Sequence, residues 1–164
     1  MKPKLVIWVL LRNLLIFIML VGFFYLPLIN QPRIPDIVIF PIAGMVFFLS
    51  GITLIIASSH KLIRKAKFYG NRIQIDPTPE KLVTTGLYKV VRHPLYVGCI
   101  IALFGWCLFW KALYCLYFLI PIFIIGLMIK AFQEERDLEK VFGDEYKEYK
   151  RKVGMLFPKI KRKK

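Results

Sequence analysis

The chain has 164 residues, 57% of them apolar and 15% aromatic, with a mean hydropathy of +0.57 and a formal net charge of +15. A soluble core of that size needs less apolar surface, and the charges lie in blocks between long uncharged runs instead of alternating with apolar residues. The pattern argues against a soluble globular protein, and equally against a nucleic-acid module: no zinc finger or aromatic RNA-binding signature accompanies the basic residues, which loops beside membrane spans account for.

The expected architecture is all-α and membrane-integral, with about four transmembrane helices. The first span runs from about Leu5 to Ile29, with Arg12 and Asn13 near its inner end, and Pro27, Pro32 and Pro35 close it. The run is long for a signal-peptide core and lacks a small-residue cleavage site, so it reads as retained. The second, Ile37 to Ser58, is uncharged, and its Gly44, Ser50 and Gly51 permit close approach of another helix.

Residues 59–94 form a basic loop expected in the cytoplasm. Its centre, Asp76-Pro77-Thr78-Pro79, forbids a continuous helix, and Thr84-Thr85-Gly86-Leu87-Tyr88 reads as an ordered turn at the membrane surface. Residues 95–130 then make a helical hairpin. Leu95 to Trp110 is only 16 residues, about 24 Å as a helix; its Gly98, Ala102 and Gly105 form a smooth stripe suited to packing on the helix that follows. Lys111 breaks the run, and Ala112 to Ile129 returns, with a kink expected at Pro121.

From Lys130 the chain turns polar without a helix breaker before Gly143, so residues 131–164 are expected as a cytoplasmic helix and basic tail. Leu138, Val141, Phe142, Tyr146 and Tyr149 give it an apolar face, with re-initiation at Gly143-Asp144. Lys and Arg number three at the amino end, eight in the loop and twelve from Lys130 onward, against Arg33 and Lys111 alone elsewhere. An even number of spans with both termini cytoplasmic satisfies that distribution. Cys99, Cys107 and Cys115 fall in apolar runs without metal-ligand spacing and read as buried thiols, so no metal site is expected.

A hairpin brings its ends together, here Arg92-His93-Pro94-Leu95-Tyr96-Val97-Gly98 and Glu134-Glu135-Arg136. Such charges at the bilayer edge are costly unless paired or holding a ligand. A small zwitterionic or cationic molecule reacting with a lipidic partner suits them.

These residues resemble the isoprenylcysteine carboxyl methyltransferase family and the related phospholipid methyltransferases. The likeness covers about Lys81 to Val153: Gly86-Leu87-Tyr88, then Arg92-His93-Pro94-x-Tyr96-x-Gly98, then Glu134-Glu135-x-x-Leu138-x-x-x-Phe142-Gly143-x-x-Tyr146-x-x-Tyr149. It implies methyl transfer from S-adenosylmethionine to a prenylated cysteine or similar isoprenoid reaching the site from the membrane. Gly86, Leu87, Tyr88, Arg92, His93, Tyr96, Gly98 and Glu135 are then cofactor-site residues, and Glu134, Glu135 and Arg136 catalytic ones. After Tyr149 the family's Val-Pro-Arg stretch is replaced by Val153-Gly154-Met155. The competing readings are a phospholipid N-methyltransferase, an NADPH-dependent membrane reductase, and a non-enzymatic scaffold whose basic loop and tail grip anionic lipid.

Overall fold

The computed structural model describes residues 21–22, 25–66 and 81–159. Most of the expected first span and the Asp76–Pro79 stretch lie outside them. Among the described residues there is no β-strand; the regular elements are helix α1 (Ile39–Ala66), helix α2 (Pro94–Phe109), helix α3 (Ile120–Lys152) and short 3-10 turns at Leu26–Leu28 and Gly86–Lys89. Two stretches, Ile39–Leu62 and the segment beginning at Cys115, are long and apolar enough to cross a bilayer. Their large side chains, among them Val46, Leu49, Ile56, Phe118, Ile122 and Ile125, are exposed outward. Water does not favour such surfaces, and these helices point to an integral membrane protein.

Inside α1 the hydroxyls of Ser50, Thr53 and Ser58 each donate to a carbonyl three or four residues back, at 2.6–2.8 Å, so these three are satisfied within the helix itself. The helix runs to Ala66, a full two turns beyond the expected Ser58. Without a breaker, backbone hydrogen bonding carries it into the basic segment.

α1 and α2 pack antiparallel along a seam of four glycines. A Cβ placed on Gly44 would lie 2.7 Å from Phe109 Cα; on Gly51, 2.7 Å from Ala102 Cα; on Gly105, 2.6 Å from the Gly44 carbonyl oxygen; on Gly98, 2.9 Å from Ile55 Cγ1. All four are below any tolerable contact, so the backbones touch directly at two levels, Gly44 with Gly105 and Gly51 with Gly98. The stripe Gly98-Ala102-Gly105 therefore faces the preceding helix, not the following one as expected. The reason is complementarity: α1 carries two glycines at the matching seven-residue interval, whereas Ile120–Ile129 has a single glycine, Gly126, among bulky side chains.

At the end of α2 the chain reverses through Lys111, whose φ of 56° is unusual for a residue with a side chain. The segment before α1 clasps this turn: Ile34 N donates to Lys111 O (3.0 Å), Leu113 N to Pro32 O (3.2 Å) and Tyr114 N to Gln31 Oε1 (3.0 Å), while Asp36 pairs with Lys111. Leu103, Cys107, Ala112 and Cys115 form the buried core here. Ahead of Pro121 the helix widens into a π-turn, Cys115–Leu119. That widened turn accommodates a ring with no amide proton, at the place where a disturbance of the helix was expected. α3 departs from helical dihedrals only at Gly143 (φ 53°, ψ −123°), where re-initiation was expected.

Gly51→Val and Gly105→Leu should each force α1 and α2 apart, costing about 3 kcal/mol or more. Thermal unfolding of the detergent-solubilised protein measures this; an unchanged melting temperature in both would mean that the seam does not hold the pair together.

Candidate active site

Pro94 occupies the first turn of α2, where its missing amide proton costs nothing. Arg92 and His93, just before it, would leave their own amides unpaired, and the chain beyond α3 supplies the acceptors: Arg92 N donates to Gly154 O (2.8 Å) and His93 N to Met155 O (3.1 Å). Residues 153–155 thus form a strap beneath the start of α2. The Arg92 side chain meets it too, Nη1 donating to the carbonyls of Lys150 (3.2 Å) and Val153.

Across from this strap lies α3. Arg92 Nε and Nη2 both reach Glu135 Oε1, at 2.8 and 2.7 Å, with the residues only 8% and 1% exposed. Lys150 Nζ lies 3.2 Å from the other oxygen of Glu135 and 2.7 Å from Glu139 Oε1. Burial raises the pKa of the Glu135 carboxyl, but His93, Arg92 and Lys150 together outweigh it and lower the value to about 2. Glu135 lies six residues past Ile129, where the apolar stretch ends. It is ionised and held.

A second, more open group adjoins the first. The rings of His93 and Tyr96 stack at 5.1 Å with 7° between their planes, and Tyr96 OH donates to Glu134 Oε1 at 2.5 Å. His93 Nδ1 is 3.7 Å from Glu134, its Nε2 3.4 Å from Glu135, and Lys130 Nζ lies over the Tyr96 ring at 5.8 Å. Glu134, with a side chain 42% exposed, differs in this from its buried neighbour. Tyr88 belongs to the same field: burial and then the Glu134 charge raise its pKa to about 12, and its carbonyl accepts from Tyr149 OH at 2.5 Å.

Of the residues singled out from sequence, Arg92, His93, Tyr96, Glu134 and Glu135 therefore converge, with Tyr88 beside them. Gly86 (φ 64°) and Leu87 shape the 3-10 turn that carries Tyr88, and the positive φ is the reason a glycine stands there. Gly98 stands apart: the absence of a side chain there serves the contact with α1, not this cluster. Arg136 is exposed and forms no ion pair among the described residues. Along the expected apolar face of α3, Leu138, Phe142, Tyr146 and Tyr149 do pack with Val153 and Leu82, but Val141 is exposed, because the packed residues follow one another at four, four and three residues and Val141 falls to one side of that line. Sequence reasoning missed Lys150 and the strap. Lys150 is indistinguishable in sequence from its basic neighbours, and the strap acts through backbone oxygens that no residue type announces.

The phospholipid methyltransferase family model matches residues 39–145, a stretch that contains the α1–α2 seam and Arg92, His93, Tyr96, Glu134 and Glu135. Methanethiol S-methyltransferase 1 of Bradyrhizobium diazoefficiens is 42% identical over 91 residues, 51% of this chain and 28% of that protein. The methanethiol S-methyltransferase of Pseudomonas deceptionensis is 32% identical over 97 residues, 52% of this chain and 32% of its own. Protein-S-isoprenylcysteine O-methyltransferase of Xenopus laevis is 30% identical over 138 residues, 75% of this chain and 45% of that one. The chain spans less than half the length of each of these relatives.

Two outcomes follow from the geometry. Arg92→Met should destabilise the protein by about 3–5 kcal/mol, since it leaves the Glu135 charge buried without its main partner. Because the Glu135 pKa is lowered from 4.5 to about 2, its stabilising contribution is complete above about pH 5 and is lost as the pH falls toward 2. Melting temperatures measured between pH 6 and 3 should decline in the wild type, and decline less steeply in Glu135→Gln, which has no carboxyl to protonate there.

Proposed function

Because the chain belongs to the phospholipid methyltransferase family, we propose that it is a membrane methyltransferase that uses S-adenosylmethionine and acts on a lipophilic acceptor, in the first instance the carboxylate of a prenylated cysteine. The observation that carries this reading is the meeting of Arg92, His93 and Tyr96 with Glu134 and Glu135 at the edge of the apolar helices. When bound, the cofactor supplies an activated methyl group on a sulfonium.

The residues present fit it. Lys150, its side chain 42% exposed, offers a cationic donor suited to a carboxylate, and Arg92, its own donors taken by Glu135 and two carbonyls, adds positive charge behind it; the stacked His93–Tyr96 pair beside Glu134 offers aromatic faces and a negative charge suited to a sulfonium. Glu135 holds Arg92 in place and, ionised by its three cations, is a positioning residue. Glu134, half-exposed and tied to Tyr96, is the carboxylate available to reactants. With a carboxylate acceptor no general base is needed, as the nucleophile is already ionised at neutral pH; positioning and electrostatics supply the rate.

The methanethiol S-methyltransferase relatives favour a second acceptor, a thiol. A thiol has a pKa near 8.5 and must lose its proton, which Glu134 could accept through Tyr96 or water. In either case the acceptor comes from the bilayer between the helices. The arrangement proposed with this is two spans within residues 1–58, a cytoplasmic loop over 59–94, the hairpin over 95–130 and a cytoplasmic helix and tail over 131–164, with both termini on the cytoplasmic side.

S-adenosylhomocysteine should raise the melting temperature of the purified protein, and NADPH should not. In membranes, labelled S-adenosylmethionine should transfer its methyl group to farnesylcysteine derivatives in preference to unprenylated ones, at a rate flat with pH above about 5. A rate rising through pH 8 with a short alkanethiol would establish the thiol reading, and label in phosphatidylethanolamine the N-methyltransferase one. No transfer and no stabilisation would overturn the assignment. Reporter fusions at Gln31 and Lys164 should report opposite sides of the membrane; the same side for both would refute the four-span arrangement.

A further inference from the structure

Tyr146 sits on the last turns of α3, beyond the break at Gly143, and is only 1% exposed. Its ring is held by Tyr149 at 6.0 Å between centroids and by the cluster with Val153, Leu82, Leu138 and Phe142. Its hydroxyl is different: fully buried, it has no hydrogen-bond partner among the described residues. Taking a hydroxyl out of water without a partner is unfavourable, and native proteins rarely leave one so without a use for it. Phenylalanine would fill the same ring position without that cost.

The hydroxyl also lies within the field of the cluster. Its pKa is raised, first by burial and then by the charge of Glu135, while Arg92 acts in the opposite sense. It therefore stays protonated at neutral pH and is a donor. The neighbouring Tyr149, by contrast, is satisfied within the protein by the Tyr88 carbonyl.

We propose that Tyr146 is a further ligand-binding residue of this site, its hydroxyl donating a hydrogen bond to an acceptor oxygen of the S-adenosyl cofactor. This rests on the methyltransferase reading given above. The acceptor belongs either to the amino-acid carboxylate or to the ribose, and two probes tell them apart: S-adenosylhomocysteine has both, methylthioadenosine only the ribose.

Tyr146→Phe removes the hydroxyl alone. Without ligand, its melting temperature should equal or exceed that of the wild type, while its affinity for S-adenosylhomocysteine by isothermal titration should fall about tenfold. Tyr149→Phe, which loses a bond made inside the protein, should melt lower than the wild type. If methylthioadenosine binding weakens by the same factor, the ribose is the partner; if only S-adenosylhomocysteine binding weakens, the carboxylate is. A Tyr146→Phe protein that melts several degrees lower, or that binds both probes as the wild type does, overturns the role. A wild type that binds neither probe overturns this role and the methyltransferase reading together.

Discussion

A guanidinium and a carboxylate removed from water lose hydration worth several kcal/mol each, and their mutual attraction compensates only when every remaining donor and acceptor is also met. The Arg92–Glu135 pair imposes that condition on three separate parts of the chain. The carboxylate must come from α3, the carbonyls that complete the arginine from the end of α3 and the strap, and the second cation from Lys150. The approach of residues 92–93, 134–135 and 150–155 is thus one coupled arrangement. His93, adjacent in sequence to Arg92, is placed by the same anchoring, and through its ring so are Tyr96 and Glu134.

The apolar helices have the complementary task of keeping this polar end at a fixed depth. Because lipid tails solvate a leucine as well as a neighbouring helix does, association in a bilayer depends on close packing, and the glycine seam provides it at two levels of α1 and α2. At the opposite end of α2, the clasp of residues 31–36 on the Lys111 turn closes the backbone groups that the reversal leaves open. Two polar ends separated by a 16-residue apolar helix divide the labour: one fixes the turn, the other holds the Arg92–Glu135 cluster.

Much of this was legible in the sequence because it depends on residue type. Apolar runs free of charge gave the helices, Pro94 the start of α2, and Arg92, His93, Glu134 and Glu135 their meeting through hairpin geometry. The partner of the Gly98-Ala102-Gly105 stripe was misjudged, since small residues say that a helix comes close but not which one; the matching interval in Gly44 and Gly51 was the available signal. Val141 was misplaced because its spacing from Leu138 suits an apolar face as well as that of Phe142 does, and periodicity alone does not mark the edge of the packed line. Pro121 signalled a disturbance of the helix, and the π-turn at Cys115–Leu119 stands just ahead of it, a form of backbone adjustment that a single proline does not specify.

The strap has a consequence for how this stretch can vary. What Arg92 and His93 take from residues 153–155 is carbonyl oxygen, and every amino acid, proline included, has one. Side-chain identity is nonetheless restricted at two of the three positions: Val153 is buried with Tyr146 and Tyr149, and a Cβ on Gly154 would collide with the Phe157 carbonyl oxygen, so the proline of a Val-Pro-Arg stretch would not fit there without a shift of the backbone. Length is not free. Inserting or deleting one residue between Tyr149 and Met155 would put every one of those oxygens out of step with its donor, so this segment specifies a count of residues as well as a spelling.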